Sequence, residues 1–208
     1  MPTIARTALA AALAATLAAC GSAPPPAAPA FTATLTSPTN VVLHWPADPA
    51  AAGYLLEYAN AADGPWTALQ YLPRDQTSYT HPNLIPETPF YYRIRSFAGP
   101  VSATVTPGGA ASPDTAVPPS APGDFTAAPA PDQSLHFAWT DRTAGEAGFL
   151  LEIRRPGAPD FTPVEVTDPD ATHCALSLLP GEQGSAFRIR ALSYGPLSPV
   201  VERTTGKV

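Results

Sequence analysis

The sequence predicts an all-β fold built from two β-sandwiches in tandem. Aromatic and branched residues cluster in short runs that alternate with polar residues, as half-buried strands require. Turns containing Gly and Pro separate these runs at intervals of about 8 to 12 residues, which is typical of antiparallel sandwiches. The 28 prolines among 208 residues do not indicate disorder, because disordered chains lack such alternating apolar runs.

The second half of the chain repeats the first. Residues 53–58, GYLLEY, correspond to residues 148–153, GFLLEI. Three further pairs recur in the same order: Trp45 with Trp139, Tyr92-Arg93-Ile94-Arg95 with Phe187-Arg188-Ile189-Arg190, and Gly99-Pro100-Val101-Ser102 with Gly195-Pro196-Leu197-Ser198. Anchors repeated in one order indicate two copies of the same supersecondary plan.

The alternation also predicts which side chains form the two cores, because successive strand residues point to opposite faces. In the first half the inward residues are Trp45, Tyr54, Leu56, Tyr58, Phe90, Tyr92 and Ile94. In the second half they are Trp139, Phe149, Leu151, Ile153, Phe187 and Ile189.

Both halves resemble the fibronectin type III domain. The second half carries Trp139-Thr140-Asp141-Arg142 followed by EAGFLLE at 146–152, a sequence pattern frequent in bacterial members. The resemblance implies two immunoglobulin-like, seven-strand β-sandwiches at residues 30–107 and 119–205, joined by a Pro-rich linker at 108–118.

One corner departs from the family pattern, which places a tyrosine hydroxyl across the turn before the sixth strand. The first half has Phe90 at that position, and the second half has Ser185. We therefore expect both corners to be weakened.

The N-terminus predicts export and lipid attachment. A polar start with Arg6 leads into an apolar stretch that ends at Leu17-Ala18-Ala19-Cys20, as in a signal peptide over residues 1–19. A membrane-spanning helix is the alternative, but the apolar stretch is shorter than the ~20 residues that crossing requires. The final four residues resemble the lipobox of bacterial lipoproteins.

That resemblance implies cleavage before Cys20 and a lipid-modified Cys20, which would anchor the chain to a membrane of the cell envelope. Gly21 and Ser22 lack the aspartate that retains many lipoproteins at the inner membrane, so the outer membrane is expected if the source has two. Residues 20–29 then form a Pro/Ala-rich tether that would span about 30 Å.

Composition and spacing argue against several function classes. The formal net charge of −6 is opposite to what nucleic-acid binding requires. Adjacent His173 and Cys174 point to opposite faces of a strand, and Cys174 is interpreted as a small core residue. Because no nucleophile, phosphate loop or metal-ligand motif is recognised, we expect no enzyme activity, no metal and no cofactor.

The surface candidates lie on one face of the first sandwich. Leu55 and Tyr91 are expected to point outward beside Trp66 and Tyr71, as a possible partner-binding face. The alternative is that these side chains are scattered or covered by the other half. In the first half Arg93 and Arg95 are expected to form ion pairs with Glu57 on the neighbouring strand, rather than to bind an acidic ligand. In the second half Arg188 and Arg190 are expected to pair with Glu152 in the same way.

Together these features predict a membrane-anchored lipoprotein that acts as a non-catalytic binding or scaffold module for an envelope protein. The alternatives are a carbohydrate-contacting accessory or adhesion factor, in which Trp66 and Tyr71 would line one open groove, and a passive spacer. The scaffold hypothesis predicts a broad apolar face instead.

Overall fold

The chain is described from a computed structural model over residues 30–109, 112, 116–131 and 134–208. These residues form antiparallel β-sheets and contain no helix, which confirms the all-β fold. Accordingly, no helix long and apolar enough to cross a membrane is found among them. The predicted signal peptide, Cys20 and the tether to residue 29 lie outside the described residues.

The strands, in chain order, are β1 (Thr32–Ser37), β2 (Asn40–His44), β3 (Gly53–Ala59), β4 (Thr67–Pro73), β5 (Ser78–His81), β6 (Pro89–Ala98), β7 (Gly123–Pro129), β8 (Ser134–Thr140), β9 (Phe149–Arg154), β10 (Thr162–Thr167), β11 (His173–Ser177), β12 (Ala186–Ala191), β13 (Ser193–Tyr194) and β14 (Val201–Thr204).

The first sandwich packs the sheet β1-β2-β5 against the sheet of β4, β3, β6 and β14. Its core centres on Trp45, whose ring centroid lies 6.4 Å from that of Phe31 and 5.6 Å from that of Tyr54. Every residue predicted to face inward lies in this core, with Tyr58 partly buried and the others fully buried. The two-residue period of the sequence is therefore confirmed.

The second sandwich packs β7-β8-β11 against β10-β9-β12. Phe137 joins its two sheets, with ring centroids 4.9 Å from Phe187 and 5.9 Å from Phe125. Trp139 packs on Phe149 at 5.4 Å, as Trp45 packs on Tyr54 in the first sandwich. All inward residues predicted for this half are buried in its core.

The seventh strand of each sandwich comes from the other half of the sequence. β14 pairs antiparallel with β6, from Val201 opposite Tyr92 to Thr204 opposite Pro89. Reciprocally, residues 100–105 run beside β12, with bridges from Val101 to Arg190 and from Val105 to Phe187. The sandwiches therefore do not coincide with the expected boundaries 30–107 and 119–205, since each contains a strand from beyond its boundary.

This exchange creates one continuous two-stranded ribbon, formed by residues 89–105 and 186–204, which we call the central ribbon. Ser193 lies opposite Ala98 at its middle, and backbone hydrogen bonds continue on both sides, from Ser198 N–H to Ile94 and from Ser102 N–H to Ile189. Gly99 has φ of 129°, and a Cβ there would overlap the carbonyl oxygen of Ala191. Glycine thus permits the close approach of the two chains at this point.

A third apolar cluster explains why the chain continues straight instead of folding back into a hairpin. Phe97, Leu150 and Leu192 are buried together where the sandwiches meet, and Tyr71 and Tyr194 pack around them. We call this the waist cluster. Its residues come from both halves, so their apolar surface leaves water only when the two sheets meet in this way.

The exchange also accounts for the Pro-rich connection. The strand formed by residues 100–105 ends at Val105, beside the start of β12 and far from the waist cluster. The next strand, β7, begins at Gly123, opposite Thr140 on β8. The Pro-rich connection runs between these two points. Ser112 hydrogen-bonds both backbone groups of Thr104 on the way, at 2.9 and 2.7 Å.

Candidate functional site

The predicted partner-binding face lies on strands β3, β4 and β6, and it is not the open apolar face that was expected. Leu55 is only 2% exposed, so the expectation that it points into solvent is wrong. It lies between Tyr71 on β4 and Arg95 on β6, on the side of the sheet that faces the second half. Neighbouring strands and the waist cluster cover this side of the sheet, so Leu55 does not reach the surface.

The three aromatic residues of that face lie in different surroundings. The guanidinium of Arg93 covers the ring of Trp66 at 4.2 Å from its centroid. Tyr71 belongs to the periphery of the waist cluster, and its hydroxyl lies 2.6 Å from that of Tyr194. Tyr91 is partly exposed on β6. Whether any of them binds a partner stays a prediction.

Burial and the hydrogen bond to Tyr194 raise the pKa of Tyr71 well above its ordinary range. The Tyr71 hydroxyl therefore stays protonated in the range where proteins function, and its hydrogen bond with the Tyr194 hydroxyl links β4 and β13. Because Tyr71 and Tyr194 come from different halves, this link also ties the two halves together.

The charged residues on the same face form the predicted ion pairs. Arg93 donates two hydrogen bonds to the Glu57 carboxylate, at 3.0 and 3.1 Å. Arg95 lies 3.7 Å from that carboxylate and stacks over the ring of Tyr194 at 3.8 Å. These arginines are thus already engaged within the protein.

The equivalent cluster of the second half is more deeply buried. Glu152 is 2% exposed and pairs with Arg188 at 2.6 Å and with Arg190 at 3.1 Å. Arg190 also donates to the carbonyl of Gly99 on the central ribbon, at 2.8 Å. Burial lowers the pKa of Arg190, while the charge of Glu152 opposes that effect. A buried pair with these bonds is structural, because unpairing either charge would be costly.

A cleft of about 340 Å³ opens between β4 and β10 beside the waist. Leu69, Tyr71, Leu150, Val164 and Val166 supply its apolar lining. Trp66 does not line it. The carbohydrate hypothesis places Trp66 and Tyr71 in one groove, and of the two only Tyr71 lines this cleft.

The remaining chemical candidates favour structural roles. Burial raises the pKa of the Cys174 thiol to about 11, and the charge of Glu165 contributes in the same direction. A nucleophilic cysteine needs the opposite shift. The carboxylates of Asp141, Glu146 and Asp170 lie within 4.8 Å of one another. However, Asp141 accepts bonds from Thr143, and Glu146 accepts one from the Asp170 backbone, so the group also serves as turn structure.

Sequence reasoning missed how the two corners before the sixth strands are fastened. In the first sandwich the hydroxyl of Thr205 donates to the carbonyl of Ile85 at 2.6 Å, and the backbone N–H of Thr88 donates to that hydroxyl at 2.9 Å. We call this arrangement the Thr205 latch. It supplies the hydroxyl that a tyrosine supplies in the family pattern, so the expected weakness of this corner was wrong. The signal was invisible in the sequence because Thr205 belongs to the other repeat.

The second corner has a different tie. The buried carboxylate of Glu182 accepts the backbone N–H of Leu179 at 2.9 Å and pairs with Arg155 at 2.6 Å. A carboxylate held by an arginine thus replaces the missing tyrosine hydroxyl, and this corner is also fastened.

Comparison with known proteins finds more than one solved structure that matches this chain. A two-domain fibronectin type III segment of chicken tenascin aligns with 85% of this chain and 98% of its own length, at 16% identity and a TM-score of 0.31. At that level the likeness carries no argument about how the halves are arranged. No protein-family model and no curated protein matches the sequence. The fold therefore rests on the strand pairings described above.

Proposed function

We propose that this chain is a lipid-anchored, non-enzymatic binding module of a bacterial cell envelope, which docks another envelope protein. The observation that carries the proposal is the central ribbon, which joins the sandwiches into one body. A body of fixed shape presents its surfaces in one relative orientation, as a docking module requires.

The position of the first described residues also supports docking over a passive spacer. The ring of Phe31 packs at a tilt near Trp45, and Trp45 packs edge-on against Tyr54. Tyr54 lies opposite Ser96, beside the waist cluster. A tether that runs from Cys20 into Phe31 would therefore reach the middle of the molecule. A spacer would be attached at one end, so that its length separates the membrane from what it carries.

Cross-linking of the lipidated protein in its own cells tests the proposal, with Cys20→Ser as the unanchored control. We expect one protein to be recovered in stoichiometric amount with the anchored chain, and much less of it with the control. Metabolic labelling with a fatty-acid analogue should label the native chain and leave Cys20→Ser unlabelled. Recovery of polysaccharide alone, or an unlabelled native chain, would contradict the proposal.

A further inference from the structure

A cavity of about 350 Å³ lies where the two halves meet, and arginines supply its charge. The first half contributes residues 49–52 and 98–99 together with Arg74, and the second half contributes Arg188 and Arg190. Of the described residues that line it, three are arginines and none is acidic. We call it the arginine cavity. A wall of this composition favours a negatively charged group, although the chain as a whole carries a net charge of −6.

Two of these arginines have hydrogen-bond donors that the fold leaves unused. Arg188 donates from Nε to Glu152 at 2.6 Å, and its two terminal nitrogens donate to no described residue. The guanidinium of Arg74, on the exposed turn after β4, forms no hydrogen bond or ion pair with the described part of the chain. A guanidinium presents its N–H groups in a planar fork that matches the two oxygens of a carboxylate. A carboxylate in the cavity can therefore accept bonds from both side chains while the pair of Arg188 with Glu152 stays intact.

Arg190 places a buried positive charge behind this wall. It is 8% exposed, and its three side-chain nitrogens are bonded to Glu152 and to the carbonyl of Gly99. The one carboxylate of Glu152 thus serves two arginines, Arg188 and Arg190. Because a buried charge is costly unless it is balanced, an anion bound in the cavity would offset the surplus positive charge.

Carboxylates beside the cavity set the amount of charge that it can take. A neighbouring cleft of about 160 Å³ has charged lining residues of both signs, which are Arg74, Arg154, Arg188, Asp75, Glu152 and Asp160. With Arg190, the two cavities are lined by four arginines and three carboxylates. Asp48 lines a different cleft, and its carboxylate accepts the backbone N–H of Ala50. A surplus of one positive charge matches a single carboxylate better than a phosphate group, which carries about −1.5 to −2 at neutral pH.

The equivalent position on the first half is built differently. There the ring of Tyr194 stacks over Arg95, the counterpart of Arg190, at 3.8 Å. Pro169 occupies the position that corresponds to Arg74 in the other repeat. The repeat therefore accounts for the strand arginines of the cavity but not for Arg74. An arginine that neither the repeat nor an ion pair with a described residue explains favours a role in binding over a role in folding.

We infer that the arginine cavity is a binding site for a carboxylate group. Arg74 and Arg188 donate hydrogen bonds to the carboxylate oxygens, and Arg190 adds positive charge without contacting them. This site goes beyond the proposed docking function and does not depend on it. The carboxylate belongs to a free small molecule or to an acidic side chain of a polypeptide, and the chemistry that recognises it is the same for both sources.

The test is an NMR titration of the full chain at low ionic strength. The probes are acetate, its neutral analogue acetamide, and the peptide acetyl-Gly-Gly-Asp-Gly-Gly-amide, whose aspartate side chain is its only carboxylate. Arg74→Gln removes the charge of a side chain that bonds no described residue, so folding should not change. Arg203→Gln makes the same substitution at an exposed residue opposite Phe90, at the other end of β6 from Ala98, and serves as the matched control.

We expect acetate to shift the backbone amide signals of Ala52 and Gly99 in a saturable way, and acetamide to leave them in place. Arg74→Gln should weaken acetate binding by about tenfold or more, whereas Arg203→Gln should leave it within about twofold. Arg74→Lys keeps the charge and loses the fork, so its affinity should be intermediate. Tighter binding of the peptide than of acetate would assign the carboxylate to a polypeptide, and the reverse order would assign it to a free small molecule.

Equal shifts with acetate and acetamide would overturn the inference, because the cavity would then not select a charge. An acetate affinity that is unchanged in Arg74→Gln, or that falls equally in Arg203→Gln, would also overturn it. The site and the proposed function fail separately. A cross-linked partner recovered from cells supports docking whatever the titration shows, and a saturable acetate site stands even if no protein is captured.

Discussion

The two sandwiches share one strand order, yet they hold their seventh strands in different ways. In the first, β14 exposes most of its side chains. In the second, residues 102, 104 and 105 are buried, and Ser112 pairs with the outer edge. A repeat in sequence thus fixes which strands form, whereas residues outside the repeat decide how firmly each strand is held.

The ion-pair clusters differ in the same direction. Glu152 and Arg190 are both nearly inaccessible, at 2% and 8% exposure. The side chains of Arg93 and Arg95, which face Glu57, are 21% and 25% exposed. Water can therefore partly replace a lost partner for Arg93 and Arg95, and also for Arg188, whose side chain is 23% exposed, but not for Arg190.

The largest effect is expected from a chain that ends at Gly195. It lacks β14 and the Thr205 latch, so the first sandwich loses its edge strand and on the order of 5 kcal/mol or more. The second sandwich keeps residues 100–105 and should stay folded. Hydrogen exchange measured by mass spectrometry should show lost protection in 40–59 and retained protection in 134–154. Unchanged protection of 40–59 would show that β14 is dispensable.

A smaller effect is expected from neutralising each buried glutamate. Glu152→Gln leaves Arg190 buried without its counter-charge, which should cost about 3–5 kcal/mol. Glu57→Gln leaves partners that reach water and should cost about 1–3 kcal/mol. Urea denaturation of both variants measures the difference. If Glu57→Gln proved the more damaging change, the first cluster would be the critical one.

Truncating the inward valine of each exchanged strand sharpens the comparison further. Val105 is buried and lies opposite Phe187, so Val105→Ala should cost about 2 kcal/mol. Val201 is only partly buried, and Val201→Ala should cost about 1 kcal/mol or less. Thermal unfolding of the two variants provides the measurement, and equal losses would contradict the difference in how the strands are held.

The smallest effect is a pH dependence confined to the first sandwich. Burial lowers the pKa of His81, which lies among aromatic rings with Nδ1 3.2 Å from the Tyr92 hydroxyl. The unfolded state therefore binds a proton more readily, and stability is lost as the pH falls below about 6.5.

His136 and His173, in the second sandwich, are exposed and provide an internal reference. Hydrogen exchange at pH 7.5 and pH 5.5 should show faster opening at low pH in peptides around β5 and β6 only. His81→Gln should abolish that difference. Acid sensitivity that persists in His81→Gln would assign it to another group.

Much of the fold could be predicted because it depends on local alternation and repetition. The inward positions such as Trp45 and Phe187 follow directly from the two-residue period, and the ion pairs of Glu57 and Glu152 follow from the pairing of neighbouring strands. The burial of Leu55 could not be predicted in this way. The period assigns it to the outer face of its sheet, but only contact with distant residues determines whether that face meets water.

By itself, the sequence determined the all-β class, the two similar halves and their core residues, since strand periodicity and turn residues act over short distances. Only the tertiary structure decided which half supplies each seventh strand, because Val101 and Val201 carry the same local preference for extended backbone in either partner. Burial of Phe97, Leu150 and Leu192 favours the exchanged arrangement. The Thr205 latch follows from that choice, since it joins residues more than 100 positions apart along the chain.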